Sequence, residues 1–169
     1  YFCSVLGPTV ANRLYMFSGT VDPLGHHGGP VFSNPTEYKP VFRWTTYPER
    51  LEQAGVSWKV YQDLADNFSD NSLAGFRQYR APFAAGTPSP LVEKGLSTTL
   101  TGATLDGFRA DVRAGALPQV SWIVPPAAVY SIALVSRLVT IIRSLASSAS
   151  RLASSGTSLV NRRPRRAAA

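Results

Sequence analysis

Thr46-Tyr47-Pro48-Glu49-Arg50-Leu51-Glu52-Gln53-Ala54-Gly55-Val56-Ser57-Trp58-Lys59-Val60-Tyr61 reads as a helix joined to a strand. Thr46 is a capping residue type, Pro48 suits the first helical turn, and Glu49 and Glu52 complement the helix N-terminus. Leu51 and Ala54 then face inward, and Gly55 closes the helix. Val56 to Tyr61 alternates as a strand. The same order returns downstream. Thr104 caps, Leu105, Phe108 and Val112 form an apolar stripe at helical spacing, and Gly115 stops the helix. Val120-Ser121-Trp122-Ile123-Val124 follows as a strand ended by Pro125-Pro126. Helices alternating with strands predict an α/β layer architecture.

Upstream of this unit, residues 2–6 read as a short apolar strand, and Gly7-Pro8-Thr9 as a turn with Thr9 at the N-cap. Val10 to Phe17 continues as a helix, and Ser18 to Pro40 as a Gly- and Pro-rich loop. Between the two units, Asp70 or Asn71 starts a helix through Tyr79, and a Pro/Gly loop runs from Pro82 to Pro90. Trp44, Trp58 and Trp122 fall on or beside strand-like segments, where core packing explains them.

Composition divides the 169 residues in two. The chain has 17 basic and 10 acidic side chains, a net charge of +7. Through Ala128 the basic and acidic residues balance at 10 each; from Val129 to Ala169 there are seven Arg and no acid. The body carries every Trp and Phe, so the core belongs to residues 1–128; residues 129–169 form an Arg/Ser/Ala-rich tail. The charge therefore marks the tail, and nucleic acid is not the expected partner of the body. No apolar run approaches the roughly 18 residues of a membrane-spanning helix. A lone Cys3 excludes an internal disulfide and a multi-cysteine zinc site; it reads as a small buried hydrophobe. A chain that opens inside a strand, without an initiator Met or signal peptide, is expected to be a fragment.

The candidate chemistry lies at Gly7-Pro8-Thr9. A hydroxyl at a strand-to-helix turn sits near the positive end of the helix dipole, where backbone amides suit an anionic ester or phosphate. Thr9 is either a plain cap or, if a metal or base lowers its pKa, a nucleophile. His26-His27 on a Gly-rich loop point apart and read as surface residues rather than metal ligands. Asp63, Asp66 and Asp70 lack the Gly and terminal Glu of a calcium loop and read, with Asn67 and Asn71, as a solvated loop.

Cys3-Ser4-Val5-Leu6-Gly7-Pro8-Thr9, Asn12-Arg13-Leu14-Tyr15, Gly19-Thr20, Asp22-Pro23 and Gly28-Gly29-Pro30 form an ordered series. It continues through Trp44 to Leu51, Ala54 to Gln62, Phe108-Arg109-Ala110-Asp111-Val112 and Leu117 to Pro126. This series resembles the bacterial phosphocholine-preferring phospholipase C family, related to acid phosphatases, over nearly all of residues 1–128. The resemblance implies an alkaline-phosphatase-like layered sheet with flanking helices in a secreted or periplasmic phosphoric-ester hydrolase that uses a divalent metal ion. It implies that Thr9 is the nucleophile and a metal oxygen ligand, and that Asn12 binds substrate. The implied reaction is hydrolysis of phosphatidylcholine to diacylglycerol and phosphocholine; a phosphomonoesterase is the alternative within the family.

Ala11 stands where the family usually has Pro. The family's other metal ligands come from an upstream Glu-Asn motif, a downstream Asp-rich motif and a His after the Pro-Pro-Ala-Ala stretch, and have no counterpart in this sequence. The chain alone is therefore expected to be inactive, and the change near Ala128 is expected to reflect a shifted reading frame. Two further readings of the tail remain. Leu138, Ile142, Leu145, Ala149 and Leu152 keep a helical spacing with Arg137, Arg143 and Arg151 around them, which suits an anionic membrane surface. Arg162-Arg163-Pro164-Arg165-Arg166 suits nucleic-acid phosphates. Either would make the chain a non-enzymatic basic binding module.

Overall fold

The computed structural model describes residues 3–34, 41–101 and 105–126. All lie in the unit Tyr1–Tyr130. Thr104 and everything read into the tail, residues 129–169, lie outside the described residues.

The elements are α1 (Thr9–Ser18), α2 (Tyr47–Gln53), β1 (Trp58–Gln62), a 3-10 turn (Ser72–Gly75), α3 (Arg77–Ala85), α4 (Pro90–Gly95), α5 (Asp106–Arg113) and β2 (Val120–Val124). The strands pair in parallel, Trp58 opposite Val120 and Gln62 opposite Val124. A parallel pair needs a long crossover, which α3, α4 and α5 supply. This is the mixed α/β arrangement expected of the sequence, on a small parallel sheet.

The decisive unit folds as its residues dictate. Glu49 Oε2 accepts the Thr46 backbone N–H at 2.7 Å, which satisfies one donor at the start of α2. Gly55 takes φ 67° and turns the chain into β1. Ala54 is exposed rather than inward, because the helix ends one residue before it. β1 does not alternate: Trp58, Val60, Tyr61 and Gln62 are all buried. A parallel strand covered on both faces has no solvent side to alternate with.

The N-terminal segment departs from expectation. The described residues 3–6 are not a strand. The Val5 backbone N–H and C=O bond the side chain of Asn12, at 3.1 and 3.2 Å, in place of a neighbouring strand. Cys3, expected buried, is exposed, while Val5 two residues on packs against the core. The helix expected from Asp70 to Tyr79 is divided at Phe76, whose backbone bridges Phe42. Asn71 caps the 3-10 turn by accepting the Leu73 N–H. α3 runs past Pro82 to Ala85, and α4 occupies the end of the expected Pro/Gly loop, with Pro90 in its first turn.

The core packs α1 against this frame through Val10, Ala11, Leu14 and Phe17. All three Trp join it as expected. Trp44 lies 5.0 Å from the rings of both Phe42 and Phe76, and the half-buried Trp122 stacks 5.4 Å from Phe17 and 6.3 Å from Trp58.

Candidate functional site

Two contacts set the direction of α1. Phe17 near its end packs on Trp122 in the middle of β2. Arg13 Nη2 lies 2.6 Å from Asp70 Oδ2, and the next residue, Asn71, donates to the Gln62 side chain at the carboxyl end of β1. α1 thus runs antiparallel to the strands. Thr9, four residues before Arg13, is about 6 Å further along the axis, beyond the carboxyl ends of the sheet. Ligands of open α/β sheets bind on that side.

Thr9 is not the N-cap. Pro8 takes that place with extended dihedrals, and Thr9 is the first helical residue. Proline has no N–H to leave unsatisfied and its fixed φ suits the helix entrance. The Val10 N–H is capped from afar by Asn34 Oδ1 at 3.0 Å. The Thr9 hydroxyl, on an exposed residue, has no hydrogen-bond partner among the described residues, and neither have the amides of Thr9 and Ala11. A hydroxyl and two donors therefore face the positive end of α1 together.

Asn12 holds this turn in shape. Its Oδ1 accepts from Val5 N, and its Nδ2 donates to the carbonyls of Val5, Gly7 and Pro8 at 3.2, 3.3 and 3.3 Å. The geometry makes it the residue that positions Gly7-Pro8-Thr9. Arg13 lies one turn beyond Thr9 on the same face, and helical side chains lean toward the N-terminus. Its Nε is buried and without a partner among the described residues.

Asn67, Asp70 and Asn71, expected as a solvated loop, are buried. Their polar atoms are matched inside the protein, so burial does not strand them. Gln62 Oε1 accepts from Asn67 Nδ2 at 3.0 Å and from Asn71 Nδ2 at 2.8 Å, and the Gly95 carbonyl accepts from Asn71 at 2.7 Å and Gln62 at 3.1 Å. Asp63 and Asp66 are half-buried beside this set. Sequence reading missed the pairing of Arg13 with Asp70 and the reach of Asn34 to Val10. The adjacency of Asn12-Arg13 to the candidate turn was the signal available.

His26 and His27 are exposed on the loop after α1, their rings 6.4 Å apart and nearly perpendicular. Asp22 organises that loop, its carboxylate accepting the amides of His26, His27 and Gly29 at 3.2, 2.7 and 2.9 Å. Burial pushes the Asp22 carboxyl up, but these amides and the nearby His27 outweigh it and hold it below the usual carboxylate range.

A divalent cation fits this chain only in part. Thr9 Oγ1 can supply one oxygen, but the described residues contain no group of three or more His, Cys, Asp or Glu side chains able to hold a metal ion. Asp70, the nearest carboxylate placed by the contacts above, is paired with Arg13.

Residues 1–132 match the phosphoesterase family. The chain is 57% identical over 131 residues to a non-hemolytic phospholipase C of Pseudomonas aeruginosa, covering 75% of this chain and 18% of that protein. It is 42% identical over 148 residues to a non-hemolytic phospholipase C of Burkholderia pseudomallei, covering 76% and 20%. It is 45% identical over 129 residues to phospholipase C B of Mycobacterium tuberculosis, covering 74% and 24%. The chain thus spans roughly a fifth of the length of these curated relatives.

Proposed function

The chain belongs to the phosphoesterase family, and from that premise we propose that Thr9 is the nucleophile of a phospholipase C acting on phosphatidylcholine. One observation carries the reading. The Thr9 hydroxyl, without a partner among the described residues, stands beside two open amides at the entrance of α1, on the carboxyl side of a parallel sheet. The relatives named phospholipase C support the substrate class.

The chemistry follows from those groups. A phosphodiester seated at the helix entrance places its anionic oxygens against the Thr9 and Ala11 amides, where the dipole favours negative charge. Thr9 Oγ1 attacks phosphorus and loses its proton as the new O–P bond forms. The bond to diacylglycerol breaks, and the departing oxygen takes up a proton. Phosphocholine is left on Thr9, and water hydrolyses that ester. Asn12 holds the attacking residue in place; Arg13, fixed by Asp70, sets a cation one turn away. A divalent cation would polarise the phosphoryl oxygens. Its remaining ligands are not supplied by the described residues, and no step here depends on it. The two parallel strands, β1 buried on both faces, suit a place within a larger alkaline-phosphatase-like layered sheet.

The test is a chimera in which residues 1–128 replace the matching stretch of the Pseudomonas relative. The chimera should release phosphocholine from phosphatidylcholine and act on the p-nitrophenyl ester of phosphocholine rather than on p-nitrophenyl phosphate. Thr9→Ala should lower kcat at least about 10³-fold, while Thr9→Ser keeps measurable turnover. Unchanged turnover in Thr9→Ala overturns the assignment, and preference for the monoester makes the protein a phosphomonoesterase.

A further inference from the structure

A cleft of about 380 Å³ opens where the end of α1 meets α2, lined by Tyr15, Met16, Ser18, Gly19, Tyr47 and Arg50. Sites for small molecules run from roughly 300 Å³ upward. Ser18 lies nine residues, about 13 Å, along α1 from Thr9, so the cleft is separate from the helix entrance. Arg50 is its one charged lining residue.

The walls are held in place. Tyr15 packs against the core, and the Tyr47 ring meets Trp122 at nearly a right angle, 6.2 Å between centres. The Ser18 hydroxyl is already engaged, donating to the Leu14 carbonyl and accepting the Trp44 indole N–H, each at 2.8 Å. Gly19, at φ 71°, ends the helix with open space where a side chain would stand. Three groups are left for a ligand. The Tyr15 and Tyr47 hydroxyls and the Arg50 guanidinium have no hydrogen-bond or ion-pair partner among the described residues. The two tyrosine rings make no contact with each other, which leaves room between them.

Those groups define the ligand. A guanidinium pairs with a carboxylate through two parallel bonds. Tyrosine rings and the Met16 thioether suit a flat apolar body. Ser18 and Gly19 bring the carbonyl end of α1, the negative end of its dipole, to the same cleft, which opposes a second negative charge. We propose that the cleft binds a monoanionic aryl carboxylate, its carboxylate on Arg50 and its ring against Tyr15 and Tyr47.

Met16 is the only methionine of the chain, so its ¹³C-labelled methyl group gives one resonance that reports from the cleft whatever the Arg-rich tail binds. Titration of the 169-residue chain with 2-naphthoate at pH 8 should shift that resonance saturably. Arg50→Gln should raise the Kd at least tenfold, and Arg50→Lys should recover part of the loss. Arg43→Gln, which removes an exposed cation outside the cleft, should leave the Kd unchanged. Near-ultraviolet circular dichroism should match the parent in all three variants, since both arginines are exposed. 2-Naphthylmethanol has the ring without the charge and octanoate the charge without the ring; each should bind at least tenfold more weakly. 2-Naphthyl phosphate, doubly charged at pH 8, should also bind more weakly. No saturable shift in the parent, an equal Kd in Arg50→Gln, an equal loss in Arg43→Gln, or tighter binding of octanoate or the phosphate overturns the proposal.

Discussion

Arg13 Nη2 and Asp70 Oδ2 meet at 2.6 Å across 57 residues of sequence, joining the middle of α1 to the loop at the carboxyl end of β1. Both side chains are largely withdrawn from water, at 23% and 12% exposure. Their attraction is therefore less screened than that of a surface pair, and removing one partner costs more than it would at the surface. Arg13→Met should cost about 2 kcal/mol, below the full buried-pair value because water still reaches both groups. Urea unfolding checks it. In the chimera the same variant should lower kcat more than it raises KM, because α1 carries Thr9.

Asn12→Asp keeps an acceptor for the Val5 amide but loses the donor that binds the carbonyls of Val5, Gly7 and Pro8. A carboxylate facing three carbonyl oxygens repels them. The turn should loosen, and kcat of the chimera should fall by about 10²-fold, as when a reacting group loses its orientation. Asn12→Gln, with the same amide on a longer stem, should restore little. Steady-state kinetics on the chimera, with KM nearly unchanged, distinguish this from loss of a substrate contact.

Gly107 lies in the first turn of α5, where Ala normally stabilises a helix by up to about 1 kcal/mol. Here a Cβ would run into the Thr99 backbone carbonyl. Gly107→Ala should therefore destabilise by about 1–3 kcal/mol, the cost of overpacking. A lowered thermal midpoint checks the reversed sign.

Asp111 joins α5 to β1. Its carboxylate lies 2.8 Å from Lys59 Nζ and accepts the Tyr61 hydroxyl at 2.6 Å, and together these hold it below the usual carboxylate range. Glu52 is lowered in the same way, by Lys94 first and then by the Trp58 N–H. A carboxyl with a depressed folded pKa contributes its stability above its unfolded value of about 4, and loses it as pH falls through the folded value. Stability should thus decline below about pH 4 and stay flat for these groups above pH 5. Asp111→Asn should flatten part of that acid limb in unfolding curves taken from pH 6 to pH 2.

Thr46 and Tyr79, both fully buried, share a hydrogen bond of 2.7 Å between their hydroxyls. Burial raises the Tyr79 phenol well above its ordinary value, the Thr46 bond opposes that rise, and the nearby Glu49 and Glu52 add to it. Tyr79→Phe should cost about 1–2 kcal/mol, the value of a buried hydrogen bond whose partner keeps one other contact. Thr46 retains its bond to Glu49 Oε2 at 2.7 Å. The double variant with Thr46→Val should cost less than the sum of the singles, because the two share one bond.

The reading of α2 and β1 from sequence succeeded because its signals are local. Thr46, Pro48, Glu49 and Gly55 act on backbone within one turn of themselves. The break at Phe76 was invisible because it is imposed by Phe42, far along the chain. α4 was hidden by the Pro- and Gly-rich composition around it, although Ser89-Pro90 and Glu93 are start signals. The burial of Asn67, Asp70 and Asn71 was misread for the same reason as the break. Polar side chains are buried only when partners meet them, and Gln62, Gly95 and Arg13 are distant in sequence.

By itself the sequence determined the alternation of helices and strands, and Thr9 as the candidate hydroxyl. Those follow from propensities, caps and composition, which act within a few residues. Only the tertiary structure decided that Pro8 rather than Thr9 is the cap, that Asn12 and Asn34 hold the turn, and that α1 points its entrance beyond the carboxyl end of β1. These depend on which side chains meet across the fold, and contact, unlike propensity, has no signature in a single stretch of chain.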